Sequence, residues 1–134
     1  MRGVSLKARF SKVHIEVSSI CNLKCSFCPE VVREKKFMDL ELFERALSEV
    51  VPLADQVALH LMGEPLTHPK FEALLLSCER ARAPIFLVTN GVLLRDKHKA
   101  LLLKPGFRQI NFSLHAFSDN FPDKDPSQYL ENIF

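Results

Sequence analysis

The sequence lacks the long hydrophobic runs of membrane-spanning proteins and the excess of positive charge of nucleic-acid-binding proteins. No stretch approaches the run of about 18 apolar residues that a membrane helix requires, and the run from Leu101 to Leu103, for example, lies between Lys99 and Lys104. The 18 Lys and Arg residues nearly balance the 16 Asp and Glu residues, which leaves a formal net charge of +2. We therefore expect neither a membrane span nor a nucleic-acid partner.

The sequence also lacks a secretory signal, internal repeats and low-complexity linkers. The basic residues Arg2, Lys7 and Arg9 are not followed by the continuous apolar segment of a signal, so we expect a cytoplasmic protein. The 134 residues are 47% hydrophobic and 25% charged, which is typical of one soluble globular domain at most. We assign residues 1–12 to an amino-terminal extension and residues 13–134 to the domain.

Strand and helix patterns alternate along the domain. Strands are predicted where apolar and β-branched residues alternate or run together, and helices where apolar residues recur every third or fourth position. The predicted order is strand 13–17, helix 39–52, strand 56–61, helix 67–78, strand 85–88, helix 95–103, strand 110–114 and helix 125–134. Because a helix separates each pair of strands, we expect an α/β fold with a parallel sheet and functional loops at the carboxyl ends of its strands.

Four strands are too few for a closed barrel of alternating strands and helices. An eight-stranded barrel usually takes more than about 200 residues, so these elements predict a partial barrel. The last helix carries an apolar stripe that no later residue covers, formed by Tyr129, Leu130, Ile133 and Phe134. We therefore expect a truncated chain, with an exposed edge strand that leaves it inactive or poorly active alone.

Three of the four cysteines lie within eight residues, directly after the first predicted strand. Cys21, Cys25 and Cys28 have the spacing C-x3-C-x2-C, which is too close for a disulfide framework. Three thiolates on one short loop suit an iron–sulfur cluster. A 4Fe-4S cluster needs four ligands, so three cysteines would leave one iron open.

A zinc site is the main alternative for this loop, within a non-catalytic or degenerate module. A structural zinc ion needs four protein ligands, and the available fourth ligands are His14, His60, His68 and Cys78. Cys78 lies on the apolar stripe of the second helix, where we expect a buried hydrophobic residue and no ligand. We expect His14 to face away from the core, and residues 33–36 to form a solvated charged loop.

The cysteine loop, with the aromatic Phe27 before its third cysteine, resembles the cluster loop of radical S-adenosylmethionine enzymes. After the second strand, Met62-Gly63-Glu64-Pro65 resembles the Gly-Gly-Glu-Pro segment of that family, with Met62 in place of the first glycine. The resemblance implies that this segment meets the amino group of the methionyl moiety, since Gly63 permits close approach of a ligand and Pro65 fixes the turn. The alternative is a plain turn with Glu64 in solvent.

The resemblance extends to the ends of the third and fourth strands. It implies that polar side chains there line the S-adenosylmethionine site, and the candidates are Thr89, Asn90, Ser113 and His115. Ser113 and His115 would be the contacts for the carboxylate or ribose of the cofactor. Asn90-Gly91 taken alone is an ordinary turn.

The family resemblance also implies a reaction, which we state as an expectation. The open iron would chelate S-adenosylmethionine, reductive cleavage would give a 5′-deoxyadenosyl radical, and that radical would abstract hydrogen from an unknown substrate, either a peptide or a small molecule. A flavodoxin or ferredoxin would supply the electron. The chain resembles the amino-terminal half of the family's partial (βα) barrel, closest to members with an auxiliary-cluster (SPASM) domain.

Overall fold

Within residues 9–29, 32–104 and 106–134, which the computed structural model describes, four strands form one parallel sheet. The strands are β1 (Phe10–His14), β2 (Ala54–Ala58), β3 (Ile85–Thr89) and β4 (Phe107–Phe112), and they lie side by side in sequence order. Every neighbouring pair is parallel, so the predicted α/β fold and partial barrel are confirmed. The predicted domain boundary at residue 12 falls inside β1, and residues 1–8 lie outside the described part.

Helices connect the strands and follow the last one. They are α1 (Leu40–Val50), α2 (Phe71–Arg80), α3 (Asp96–Leu102), α4 (Leu114–Asn120) and α5 (Ser127–Ile133). Short 3-10 turns occupy Val51–Leu53 and Pro65–Thr67. In the described part of the chain, no helix is both long enough and apolar enough to cross a lipid bilayer.

The core lies between the helices and one face of the sheet. Successive strand residues point to opposite faces, so alternate residues at the carboxyl ends of the strands and just beyond them enter the core. The buried sheet residues are Ile15, Val17, Val57, Leu59, Ile85 and Leu87, and the helices contribute Phe43, Leu47, Phe71, Leu74, Leu75 and Cys78. Burial raises the pKa of the Cys78 thiol to about 12, so Cys78 is the buried hydrophobic residue that its helical position predicts.

The opposite face of the sheet carries polar and aromatic side chains. Lys12 and His14 are exposed there, which confirms that His14 faces away from the core. The Nδ1 atom of His14 lies 2.7 Å from the carbonyl oxygen of His60, and the two rings meet edge to face. The ammonium group of Lys12 lies 4.0 Å from the centre of the Phe86 ring.

Three strands begin two or three residues earlier than predicted, whereas β3 begins at Ile85 as predicted. β1 ends at His14, although the predicted strand continued to Val17; Ile15 and Val17 still donate backbone hydrogen bonds to β2 and the residue after it. β2 runs Ala54–Ala58 rather than 56–61, and β4 runs Phe107–Phe112 rather than 110–114. Burial extends past the ends of β1 and β2, where Ile15, Val17 and Leu59 are buried, so the hydrophobic pattern does not mark the strand bounds.

The helix α4 was not predicted, because among its residues only Ala116 is buried and the segment carries no apolar stripe. Its presence changes the surroundings of α5. The ring of Phe117 on α4 stacks on Tyr129 with centres 4.3 Å apart, and the Tyr129 hydroxyl donates to the carbonyl oxygen of Asn90. Tyr129 is therefore covered by earlier residues of the chain, whereas Phe134 remains 86% exposed.

We predict that His60 makes the fold sensitive to acid. Burial, followed by the charges of His14 and Lys12, lowers the pKa of His60 to about 4 from an ordinary value of 6.5. The unfolded chain therefore takes up a proton at a higher pH than the folded chain, so stability present above pH 6.5 is lost as the pH falls toward 4. Urea unfolding of His60→Asn between these pH values should show a smaller loss than the unchanged chain.

The exposed His115 supplies the control for this measurement, since His115→Asn should keep the pH dependence of the unchanged chain. Equal pH dependence in the unchanged chain and in His60→Asn would contradict the assignment.

Candidate functional site

The three cysteines lie on a loop that leaves the carboxyl end of β1, as predicted. Cys21 and Cys28 are exposed and Cys25 is half-buried, and in the described part of the chain all four cysteines are free thiols. The backbone N–H of Cys28 donates to the carbonyl oxygen of Cys25 at 3.3 Å, which turns the loop back on itself. The loop therefore presents its thiols at one end of the sheet.

Two buried serines hold the start of this loop, and the sequence analysis did not single them out. The hydroxyls of Ser18 and Thr67 share a hydrogen bond of 2.7 Å. The Ser19 hydroxyl accepts from the backbone N–H of Lys36 at 2.8 Å and lies 3.1 Å from the carbonyl oxygen of Glu34. These contacts join the loop to the segments after β2 and before α1.

The surroundings of Cys21 and Cys28 disfavour the ionised forms of these two thiols. Burial raises the pKa of both Cys21 and Cys28, and the charge of Cys25 raises each of them further. Like-charge repulsion between neighbouring thiolates is relieved when they bind a cationic core. The donor set therefore fits an iron–sulfur core, for which thiolates are the natural ligands.

The predicted fourth zinc ligands have other partners. Both ring nitrogens of His68 are engaged, one 2.7 Å from the carbonyl oxygen of Met38 and the other accepting from the backbone N–H of Lys70. His60 Nδ1 accepts from the backbone N–H of Val88, and Cys78 lies in the core. Among the residues described, no three His, Cys, Asp or Glu side chains converge on the position of a single metal ion.

The backbone of Gly63 passes directly against the start of the cysteine loop. A Cβ atom on Gly63 would lie 2.1 Å from the carbonyl oxygen of Ser18, and the next N–H, that of Glu64, donates to Ile20 at 2.9 Å. The backbone of Gly63 thus lies in close contact with the neighbouring loop, as only a residue without a side chain allows. The contact of Gly63 with a ligand stays a prediction.

The side chain of Glu64 is buried, with only 3% of the residue exposed. Its carboxylate accepts from the hydroxyl of Thr89, from the backbone N–H of Asn90 at 2.9 Å and from that of Leu66 at 3.2 Å. Burial raises the pKa of this carboxyl, against the opposing effect of the three donors. The alternative of a solvated Glu64 is therefore wrong, and the carboxylate instead joins the ends of β2 and β3.

Glu16 is a site residue that the sequence analysis missed. Its carboxylate accepts from the backbone N–H of Met62 at 2.7 Å and of Gly63 at 3.4 Å, and it forms a two-point ion pair with Arg33 at 2.7 and 3.2 Å. Burial alone would raise the pKa of Glu16, but Arg33 and the two N–H groups lower it overall. Residues 33–36 are exposed, as predicted, yet Arg33 also fixes Glu16.

The remaining predicted contacts divide into two groups. Asn90 is buried beside the cysteine loop, where its amide donates to the Asn22 side chain at 2.9 Å and accepts from the N–H of Val92. Ser113 is half-buried between β4 and α4 and donates its N–H to the Thr89 carbonyl. His115 lies in the first turn of α4 and is exposed. Asn90 thus joins the loop directly, whereas His115 faces solvent.

The geometry can be compared with known proteins. The family model of the Radical SAM superfamily matches residues 15–134. The chain belongs to the Radical SAM superfamily. The match includes the cysteine loop and the carboxyl ends of β2, β3 and β4, and it confirms the family resemblance drawn from the cysteine spacing and from residues 62–65.

This chain covers only part of the length of individual Radical SAM relatives. The S-adenosyl-L-methionine-dependent 2-deoxy-scyllo-inosamine dehydrogenase of Niallia circulans is 31% identical over 116 residues, which is 80% of this chain and 46% of the relative. The GTP 3',8-cyclase of Desulforamulus reducens is 32% identical over 119 residues, which is 83% of this chain and 36% of the relative. The chain therefore spans less than half the length of these two enzymes.

A solved Radical SAM structure shares the fold. Streptococcus suis SuiB bound to S-adenosylmethionine matches with a TM-score of 0.65 and 27% sequence identity, covering 77% of this chain and 24% of that chain. This agreement supports the partial barrel. The individual contacts of Gly63, Glu64, Pro65, Asn90, Ser113 and His115 with a cofactor stay predictions.

We predict that Gly63 cannot be enlarged without separating the two loops. Gly63→Ala places a methyl group against the Ser18 backbone, and overpacking of this kind costs about 1–3 kcal/mol or more. Gly106→Ala is the matched control, because its Cβ would lie at an ordinary contact distance of 3.4 Å from the Ala83 carbonyl. Denaturant unfolding should show a clear loss for Gly63→Ala and little for Gly106→Ala; equal stability of both variants would contradict this assignment.

Proposed function

We propose that Cys21, Cys25 and Cys28 hold a 4Fe-4S cluster whose fourth iron binds S-adenosylmethionine. The observation that carries this proposal is the loop itself. Three accessible or half-buried free thiols lie on one loop at the carboxyl end of a parallel sheet, in a chain of the Radical SAM superfamily. That end of the sheet is where α/β folds of this kind place their functional groups.

The cofactor supplies the difficult chemistry. With a cluster held by Cys21, Cys25 and Cys28, the site would supply reductive cleavage of S-adenosylmethionine and radical abstraction of hydrogen from a substrate. The residues of this chain supply binding and orientation. The Glu16 carboxylate and the backbone N–H of Glu64 fix the segment from Met62 to Pro65 against the base of the cysteine loop, and the Glu64 carboxylate binds the end of β3.

The proposed contacts with S-adenosylmethionine follow from which groups remain available. The Glu64 carboxylate has three donors inside the protein, so a contact between residues 62–65 and the methionyl amino group would use the backbone of Gly63, Glu64 and Pro65. Asn90 would act at the edge of the cysteine loop, where its side chain meets Asn22. Ser113 and His115 would contact the carboxylate or ribose from the end of β4.

The chain matches only part of each relative, so its partners are proposals. A low-potential donor of the flavodoxin or ferredoxin type would reduce the cluster. The relatives named above are a dehydrogenase and a cyclase. Similarity to these two enzymes therefore does not indicate one substrate. The substrate class stays open between a peptide and a small molecule.

Anaerobic reconstitution with iron and sulfide tests the proposed function. The chain should turn brown and bind about four irons and four sulfides, and S-adenosylmethionine should change the electron paramagnetic resonance spectrum of the reduced cluster. The variants Cys21→Ser, Cys25→Ser and Cys28→Ser should each lose most of the iron. Cys78→Ala, which removes the buried cysteine outside the loop, should retain it.

The contradicting outcome is equally specific. Colourless protein with at most one bound zinc ion would favour the non-catalytic module and would overturn the proposed function. If the electron paramagnetic resonance spectrum of the cluster does not change when S-adenosylmethionine is added, the assignment of an open iron is wrong.

A further inference from the structure

Two neighbouring polar residues at the end of α4 make direct contact with the cysteine loop. The Asp119 carboxylate accepts from the backbone N–H of Ser26 at 2.7 Å and from its hydroxyl at 2.6 Å. The Asn120 side-chain oxygen accepts from the backbone N–H of Lys24 at 2.8 Å, and its nitrogen lies 3.3 Å from the sulfur of Cys25. These contacts bracket the middle cysteine on both sides.

The orientation of the Asn120 amide is set by groups other than the cysteine. The backbone N–H of Lys24 can only donate, so it must face the amide oxygen. The carbonyl oxygen of Ala116 can only accept, and it lies 2.8 Å from the amide nitrogen. The nitrogen therefore carries its second hydrogen toward the Cys25 sulfur, whichever form that sulfur takes.

This contact matters most when Cys25 is ionised. A neutral thiol is a weak acceptor, whereas hydrogen bonds to a charged acceptor are roughly twice as strong as neutral ones. Hydrogen bonds to the ligand sulfurs are among the factors that set the potential of an iron–sulfur cluster. A reduced cluster carries one more negative charge than the oxidised one, so a donor stabilises the reduced form more and raises the potential.

Asp119 has the opposite electrostatic effect. Its carboxylate is bound to the backbone N–H and the hydroxyl of Ser26, between Cys25 and Cys28 in the sequence, so its negative charge lies directly against the cysteine loop. An anion close to the cluster disfavours the added electron and lowers the potential. Two adjacent residues of one helix therefore make electrostatic contributions of opposite sign at the same loop.

We propose that Asp119 and Asn120 are positioning residues that hold the cysteine loop and set the reduction potential of its cluster with opposite signs. Asn120 raises the potential through its N–H group on Cys25, and Asp119 lowers it through its charge. This inference rests on the proposed function, since it needs a cluster on the loop. The helix α4 then has a role that its weak hydrophobic pattern does not suggest.

A redox titration of the reconstituted chain, followed by electron paramagnetic resonance, separates this proposal from simple packing. Asn120→Asp keeps the oxygen that accepts from Lys24 but replaces the donor to Cys25 with an acceptor. It should make reduction about tenfold less favourable, which is about 59 mV for a one-electron couple. Asp119→Asn removes the charge and should shift the potential upward.

Asn132→Asp is the matched control for Asn120→Asp. Asn132 lies on α5, where its side chain donates to the Leu94 carbonyl and accepts from Lys99, so the new carboxylate has a cation beside it. The same chemical change there should leave the potential near that of the unchanged chain. Shifts in the same direction for Asn120→Asp and Asp119→Asn, or no shift in either, would overturn the inference while the assembled cluster still supports the proposed function.

Hydrogen exchange in the cluster-free chain tests the positioning role by itself. Asp119→Ala removes both acceptors of Ser26, so the Ser26 amide should exchange faster, and the Val57 amide in the sheet should not change. An unchanged Ser26 exchange rate would overturn the positioning role. Failure of the unchanged chain to assemble any cluster would overturn the proposed function and the effect on the potential together.

Discussion

The site depends on the contact between the loop after β1 and the loop after β2, which is held together at Gly63 and Glu64. The missing side chain of Gly63 lets its backbone lie against Ser18, and the Glu64 N–H reaches Ile20. The buried Glu64 carboxylate then binds the end of β3. Gly63 and Glu64 thereby join the cysteine loop to the segment after β2 and to the end of β3. Disturbing the buried Glu64 carboxylate would cost stability, because its three donors would lose their acceptor.

Further contacts brace the cysteine loop from several directions. Glu16 and Arg33 fix the segment before Gly63, while Ser18 and Ser19 tie the start of the loop to its surroundings. Asp119 and Asn120 reach it from α4. A loop that must present three thiols to one inorganic core needs such support, because precise ligand placement comes from the groups around the ligands.

Much of the fold could be predicted from the sequence, because hydrophobic periodicity reports which face of each element is buried. The stripe of α2 and the alternation of β1 predicted the core, including Cys78. The helix α4 could not be predicted in this way, since Ala116 is its one buried residue and its contacts are polar. Strand bounds were also displaced, because residues such as Ile15 are buried beyond the ladder.

The cysteine loop could be predicted because the spacing of its cysteines is a local pattern. The residues that hold the loop in place could not, because their partners are distant in the sequence. Glu16 lies just past β1, where a solvated glutamate would show the same sequence pattern, and its partners Met62 and Gly63 follow a different strand. The direction of the Glu64 side chain likewise depends on Thr89 and Asn90. Relations between residues that are distant in sequence carry no signal in a single sequence without its structure.

The most direct measurement of the central claim is Mössbauer spectroscopy of the chain reconstituted anaerobically with isotopically enriched iron. Three cysteine ligands on a 4Fe-4S cluster predict one iron site distinct from the others, and S-adenosylmethionine should change the parameters of that site alone. Four equivalent irons that do not respond to S-adenosylmethionine, or a spectrum without any cluster, would contradict the account.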